Sequence, residues 1–132
     1  MPTTTATITL NTSEFTGGGT ITKTTNLNKA GTSTGIDQTT GLSRVYTASA
    51  TNDLVVAAAS DYADDKAGKI YLKNTSDNDV TSYLLVEVGS NVIVGRLYPG
   101  DWLFIPYDGT EDIKVSTSAA NMYYEFAIFH EG

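Results

Sequence analysis

The chain contains no cysteine. Disulfides, thiolate nucleophiles and cysteine-built zinc sites are therefore excluded. It contains one histidine, His130, close to its end. A Ser/His/Asp arrangement would have to be built on that residue, and the simpler expectation is a histidine at a strand end. Basic residues are few, with 8 Lys and Arg against 15 Asp and Glu, and the net charge is -7. Lys23, Lys29, Arg44, Lys66, Lys69, Lys73, Arg96 and Lys114 are scattered along the chain. Phosphate-backbone binding needs a basic face, so no nucleic acid partner is expected, and no anionic membrane surface. Long hydrophobic runs are missing, so no transmembrane helix is expected. The start, Met1-Pro2-Thr3-Thr4-Thr5, has neither the basic stretch nor the apolar stretch of a signal peptide. Synthesis in a cytoplasm is the expectation.

What is there is unevenly distributed. Residues 1–51 are rich in threonine, glycine and asparagine and poor in large apolar side chains. Residues 54–132 are a dense series of short β-type runs and carry nearly all the aromatics. The chain divides into a Thr/Gly-rich N-terminal arm, residues 1–42, and a β core, residues 43–132. At 132 residues, one domain of this kind can bury enough surface to fold without staples.

In the arm, Ala6–Leu10 alternates apolar with small or polar residues, and Thr20–Thr25 does so around Ile21. Both read as weakly amphipathic strands, separated by Gly17-Gly18-Gly19. From Asn26 to Gly41 the chain reads as loop, with Leu27 and Ile36 as its candidate anchors. So long a loop is uncommon inside a compact domain. It reads as disordered or as ordered by packing on a neighbour.

In the core, Ser43–Ser49 is a strand with Val45 and Thr47 on one face and Arg44 and Tyr46 on the other. The Leu54–Ala58 run is read as strand, and Asp61–Lys66 as one helical turn. Lys69–Lys73 turns Ile70 and Leu72 inward. Tyr83–Val88, Gly89-Ser90-Asn91 and Val92–Leu97 form a hairpin. Tyr98-Pro99-Gly100-Asp101 fits a type II turn. Trp102–Ile105, Asp112–Ser116 and Met122–Phe129 complete the series. The last strand is apolar or aromatic on both faces, which marks it as central or as part of a subunit interface. The fold class is therefore all-β, an antiparallel β-sandwich of jelly-roll-like type with an extended N-terminal arm.

No residues assemble into a catalytic set, and no enzyme is expected. Asp61, Asp64 and Asp65, and separately Asp77 and Asp79, lack the spacing of a calcium loop, and Asx-rich turns account for them. No metal or cofactor is expected. Gly17-Gly18-Gly19-Thr20 lacks the Lys and the strand–helix context of a phosphate loop. The sequons at Asn11 and Asn74 are read as chance matches. Tyr98, Trp102 and Tyr107 lie near what reads as a common loop end and are candidate glycan contacts. The competing, preferred reading makes Trp102 a plug at the end of the sandwich. The surplus of tyrosine suits an interface, since the ring supplies contact area and the hydroxyl a polar tip.

Four segments carry a family resemblance: "KIYLKNTS" (Lys69–Ser76), "YLLVEV" (Tyr83–Val88), "GRLYPGDWLFIPYDGTEDIKVS" (Gly95–Ser116) and "MYYEFAIFHEG" (Met122–Gly132). With "TGLSRVYTAS" (Thr40–Ser49) they resemble the small β-sandwich virion proteins of tailed bacteriophages, especially marine and cyanobacterial phages. The resemblance covers residues 40–132. It implies a structural role on the capsid exterior, as a homotrimeric head decoration (cement) protein whose partners are itself and the major capsid protein. A net acidic surface suits display in many copies. The expected capsid or subunit interface is Ile8, Leu10, Phe15 and Ile21 in the arm, with Tyr123 and Phe129 in the last strand. The alternative is a fibre or adhesin domain that binds host glycan.

Overall fold

In a computed structural model of the chain, which describes residues 4–12, 19–56, 66, 68–77, 79–107 and 109–131, the regular elements are all β-strands. Thr4–Asn11 (β1) and Thr20–Leu27 (β2) are followed by Gln38–Thr39 (β3), Ser43–Thr47 (β4) and Asn52–Val56 (β5). Then come Lys69–Asn74 (β6), Leu84–Val88 (β7), Val92–Leu97 (β8), Trp102–Pro106 (β9), Ile113–Thr117 (β10) and Met122–His130 (β11). Every pairing is antiparallel. β1 and β2 form a ribbon of their own. β5-β10-β7-β8 form a four-stranded sheet. In a five-stranded sheet β11 takes β3 and β4 along one side and β6, then β9, along the other.

The two larger sheets share one core. Leu72, Met122 and Tyr124 from the five-stranded sheet meet Leu84, Val86, Leu97 and Val115 from the four-stranded sheet. Ile70 and Ile128 likewise meet Ile113 and Tyr107. Val55, Leu103 and Phe126 pack against both groups and join them. The arrangement is sandwich-like and follows from period-2 alternation. β6 and β10 bury every second residue, and each buried aliphatic side chain contributes about 1.5–3 kcal/mol.

β11 is the central strand, hydrogen-bonded on both sides. Its inner face is Met122, Tyr124, Phe126 and Ile128, as the sequence pattern anticipates. Ala127 on the other face is also buried. Pro106 sits at the end of β9, an edge strand where its missing N–H breaks no ladder. The Tyr98–Asp101 turn closes with Asp101 N–H donating to Tyr98 O at 2.8 Å, and Gly100 takes φ 92°. That value suits the glycine position of a type II turn.

Asn74 is fully buried, and each of its four polar atoms has a hydrogen-bond partner. Its Nδ2 donates to Leu97 O at 2.9 Å, and its Oδ1 accepts from Ser76 N at 3.0 Å. Its own N–H donates to Asp101 O, and its carbonyl accepts from Gly100 N. Ser76 Oγ in turn donates to Tyr123 O and accepts from Tyr123 N. The "KNTS" and "YPGD" segments thus meet in one hydrogen-bonded corner that joins β6, the β8–β9 turn and β11.

Asn26–Gly41 departs from its reading as loop without internal order. β2 continues to Leu27, Asn28 bridges Gly35, and β3 pairs with Phe129 and His130. Leu27 and Ile36 are buried, as anchors should be. Lys29 pairs with Asp37 at 2.6 Å, and Ala30 N donates to a Glu131 carboxylate oxygen at 2.8 Å. The segment is ordered by its own chain because two apolar anchors and a short strand hold it to the β11 side of the body. Phe15, the Gly17-Gly18 pair, Asp61, Asp64, Asp65 and most of the Asp61–Lys66 turn lie outside the described residues.

Candidate functional site

The β1–β2 ribbon has two unlike faces. Residues directly opposite across a pair share a face. Thr5, Thr7, Thr9 and Asn11 face Asn26, Thr24, Thr22 and Thr20, an entirely hydroxyl and amide surface. Ala6, Ile8 and Leu10 stand opposite Thr25, Lys23 and Ile21, and Thr4 stands opposite Leu27. The apolar side chains therefore gather on one face. Near the body that face closes over an apolar crevice of about 230 Å³, where Ala6, Ile8 and Leu27 meet Phe104 and Pro106 of β9. Farther out it is uncovered, and Leu10 and Ile21 are 50% and 53% exposed. At the far end Thr12 Oγ1 donates to Gly19 O at 2.8 Å, and Thr12 N also donates to it. At the near end Thr4 Oγ1 donates to Ile36 O at 3.0 Å. Three of the expected interface residues, Ile8, Leu10 and Ile21, thus lie on one face of one element.

Tyr123 and Phe129, the other two described members of that set, lie apart from the ribbon's outer half. Phe129 meets Phe104 edge-on, ring centroids 6.2 Å apart, and is part of the molecule's own packing. Tyr123 is exposed and packs on Tyr46 at 4.9 Å, the hydroxyl of Tyr46 donating to Asn121 Oδ1 at 2.6 Å. An open groove of about 640 Å³ runs beside this pair, lined by Arg44, Thr75, Asp77, Tyr123 and Glu125 among others. Glu125 accepts from the Tyr71 hydroxyl at 2.8 Å, and Arg44 Nε stands 3.5 Å from its other oxygen. Partial burial, reinforced by the Glu125 acceptor and its charge, pushes the Tyr71 phenol up to about 12. Sequence reading misses the Tyr46–Tyr123 pair, because only the β4–β11 register places these rings opposite each other.

The proposed glycan trio does not assemble. Trp102 is 47% exposed at the start of β9, while Tyr107, just past its end, is 4% exposed with its hydroxyl directed to Glu111 O. Tyr107 lies five residue steps along the strand from Trp102, roughly 17 Å at about 3.3 Å per residue. Period 2 explains the outcome. Leu103 and Ile105 pair with inward Leu72 and Ile70, so Trp102 falls on the outer face opposite Lys73. Trp102 is accordingly no plug of the core, contrary to the preferred sequence reading. Tyr98 belongs to a different small cluster, with Tyr83 at 5.7 Å and Arg96 stacked 4.3 Å above the Tyr83 ring.

A further exposed apolar surface is the edge strand β8. Val92, Ile93 and Val94 are three successive residues, each 46–62% exposed. β7 occupies one side of β8, and among the described residues no strand pairs with the other. A bulge between Val86 and Glu87 leaves Val94 without an opposite residue. The signal in the sequence is the Val-Ile-Val run itself, but such a run reads equally well as a strand buried on both faces.

Among the described residues no group of three or more His, Asp or Glu side chains could hold a metal ion. Asp79 accepts the Thr81 N–H at 2.9 Å, which holds its carboxyl below the usual range, and it serves the turn. The Asn74 sequon is sealed in the core, whereas Asn11 is exposed. No known protein family, curated protein or solved structure matches the chain.

Proposed function

We propose that the chain is a structural protein of a phage virion, a homotrimeric head decoration protein that binds the outer capsid surface and stabilises the shell. In this reading residues 43–132 are a jelly-roll-like sandwich and residues 1–42 an extended arm that attaches it. The observation that carries the docking role is the ribbon's apolar face, overhanging the body with Leu10 and Ile21 in water. The free backbone edges of a two-stranded ribbon suit β-strand addition to a neighbouring protein. The virion as destination is supported by the resemblance of residues 40–132. Repetition over a symmetric shell multiplies modest affinities, so a small ribbon suffices as the attachment. The expected mechanism is mechanical: each copy adds buried contact area between capsid subunits. The test is co-sedimentation with phage heads of the full chain and of a chain lacking residues 2–25. The full chain should sediment with heads. The shortened chain should stay folded and remain in the supernatant, and its undiminished sedimentation would refute the arm's role.

The alternative, a fibre or adhesin domain that binds host glycan, keeps one favourable observation, the exposed indole of Trp102. Its test is a glycan screen with the purified protein and Trp102→Ala. Saturable binding lost in that variant, with the fold retained, would favour it.

A further inference from the structure

We infer that the outer face of the five-stranded sheet binds a neutral oligosaccharide laid across the strands, with Tyr46 and Tyr123 at one end and Trp102 at the other. The inference stands on the body of the molecule. It goes beyond the docking role of the ribbon and extends the glycan reading from one indole to a whole face. Strand register assembles that face. Residues directly opposite across a pair share a face. Arg44 of β4 stands opposite Glu125 of β11, Glu125 opposite Lys73 of β6, and Lys73 opposite Trp102 of β9. These four form one row across the sheet. Tyr46 and Tyr123 stand opposite each other in the next row, on the same face by period 2. Three strand spacings separate β4 from β9, roughly 14 Å at about 4.8 Å each. That is the span of a short oligosaccharide.

The face is open and has the chemistry of a sugar site. The ribbon's base lies over its other end, against Lys69, Phe104 and Pro106. Tyr46, Tyr123 and Trp102 are 45–51% exposed. Their rings offer flat apolar surface to the C–H faces of pyranose rings, while their polar tips stay wet. The open groove beside the tyrosines, about 640 Å³, falls within the size range of small-molecule sites. Its polar lining is of both kinds. Arg44 only donates, the carboxylates of Asp77 and Glu125 accept, and the Thr75 hydroxyl does either. Sugar hydroxyls donate and accept, so they can satisfy every one of these groups.

Charge selects the ligand class. Arg44 and Lys73 balance Asp77 and Glu125, so this face is neutral in a chain of net charge -7. An anionic ligand would meet two carboxylates, and a cationic one would meet Arg44 and Lys73. A protein laid on the face would take four charged side chains out of water, which is costly. A saccharide leaves its own outer side, and much of theirs, hydrated. The site is also held in place before any ligand arrives, which lowers the cost of binding. The Tyr46 hydroxyl donates to Asn121 Oδ1 at 2.6 Å, and its ring rests on Tyr123. Ser76 Oγ clamps both the N–H and the carbonyl of Tyr123, and Thr75 N–H donates to the same carbonyl. The Tyr71 hydroxyl fixes Glu125.

Trp102 is the single tryptophan of the chain, so its fluorescence reports a ligand on this face. The purified full chain is titrated with neutral glucan, mannan, galactan and chitin oligosaccharides, and with sulfated and uronic-acid ones. At least one neutral oligosaccharide should give a saturable change in Trp102 emission. Tyr123→Ala should weaken that binding roughly tenfold, the worth of a good aromatic contact. Arg44→Ala should weaken it too, and with a side chain 79% exposed its removal leaves the fold intact. Both variants should keep the wild-type circular dichroism spectrum. No saturable binding, or binding of acidic saccharides alone, would overturn the inference. Binding lost in Trp102→Ala, followed by calorimetry, yet unchanged in Tyr123→Ala and Arg44→Ala would overturn it as well and leave the narrower glycan reading. Head binding lost in Tyr123→Ala, with no saccharide bound by the wild type, would make the face a protein contact instead. Co-sedimentation separates this claim from the docking role. A chain that binds a neutral saccharide and ignores heads keeps this inference and ends the virion reading. A chain that sediments with heads and binds no saccharide does the reverse.

Discussion

The β1–β2 ribbon and the two-sheet body share one backbone geometry and differ in what covers their side chains. In the body, inward residues of facing sheets close over each other, and Leu72, Leu84 and Val115 are fully buried. In the ribbon the hydrogen-bond ladder is complete over eight pairs, yet its side chains are mostly exposed. Hydrogen bonds formed in water add little net stability, so the ladder alone does not hold the ribbon. Its base does, through Leu27, Ile36 and the crevice against Phe104 and Pro106. The lesson is that strand formation and strand stabilisation are separate problems. The body solves both within one chain, whereas the outer half of the ribbon, with Leu10 and Ile21 exposed, solves only the first.

The contrast can be broken first at the core. Leu72→Ala should destabilise the monomeric fold by about 2–5 kcal/mol, because a filled core site becomes a cavity. Urea unfolding would read this as a lower midpoint, and an unchanged midpoint would mean the sheets do not share a core.

The next effect is at the buried corner. Asn74→Ala leaves Leu97 O and Ser76 N without their side-chain partners. The cost of buried unsatisfied groups, about 1–3 kcal/mol, should appear in the same unfolding measurement. Ser76→Ala should cost less, since its partners, Tyr123 N and O, lie nearer the surface.

A smaller effect follows from alkaline pH. Tyr71 is raised from 10.0 to about 12, by desolvation first and then by Glu125. Tyr124 is also raised, by burial first and then by Asp53, to which its hydroxyl donates at 3.3 Å. The folded state therefore holds these protons more tightly than the unfolded chain. Their contribution is fully present below about pH 10, where both states are protonated, and is lost as pH rises toward about pH 12. Urea midpoints should fall between about pH 9 and about pH 11. Tyr71→Phe should reduce that fall, and an identical slope in the variant would remove the Tyr71–Glu125 contact from the account.

The smallest effect on stability is expected in the ribbon. Leu10→Ser should change monomer unfolding by no more than about 0.5 kcal/mol, as for other surface substitutions. The same change should weaken co-sedimentation with phage heads. A large loss of monomer stability would show that Leu10 is covered within its own chain, and the contrast between ribbon and body would fail.

Much of the body is legible in the sequence because period 2 and turn chemistry are local. Alternation in Lys69–Asn74 and Ile113–Thr117, the Pro99-Gly100 turn and the Gly89–Asn91 loop each depend on a few neighbouring residues. Leu27 and Ile36 are legible as anchors because they are isolated apolar residues in a polar stretch. The candidate sites are less legible because they depend on distant partners. Tyr46 meets Tyr123, and Asn74 meets Leu97, through strand pairing that no local pattern specifies. Trp102 and Tyr107 look adjacent in the sequence and separate once β9 runs between them.

By itself the sequence determined that this chain is all-β, acidic and free of thiol chemistry, and which residues turn inward in most strands. Those properties follow from composition and from alternation, which act over a few residues. The tertiary structure alone decided which edges stay unpaired and which apolar residues stay wet. Whether Ile93 or Leu10 is covered depends on what the rest of the chain brings to it, and burial is a property of the assembled surface.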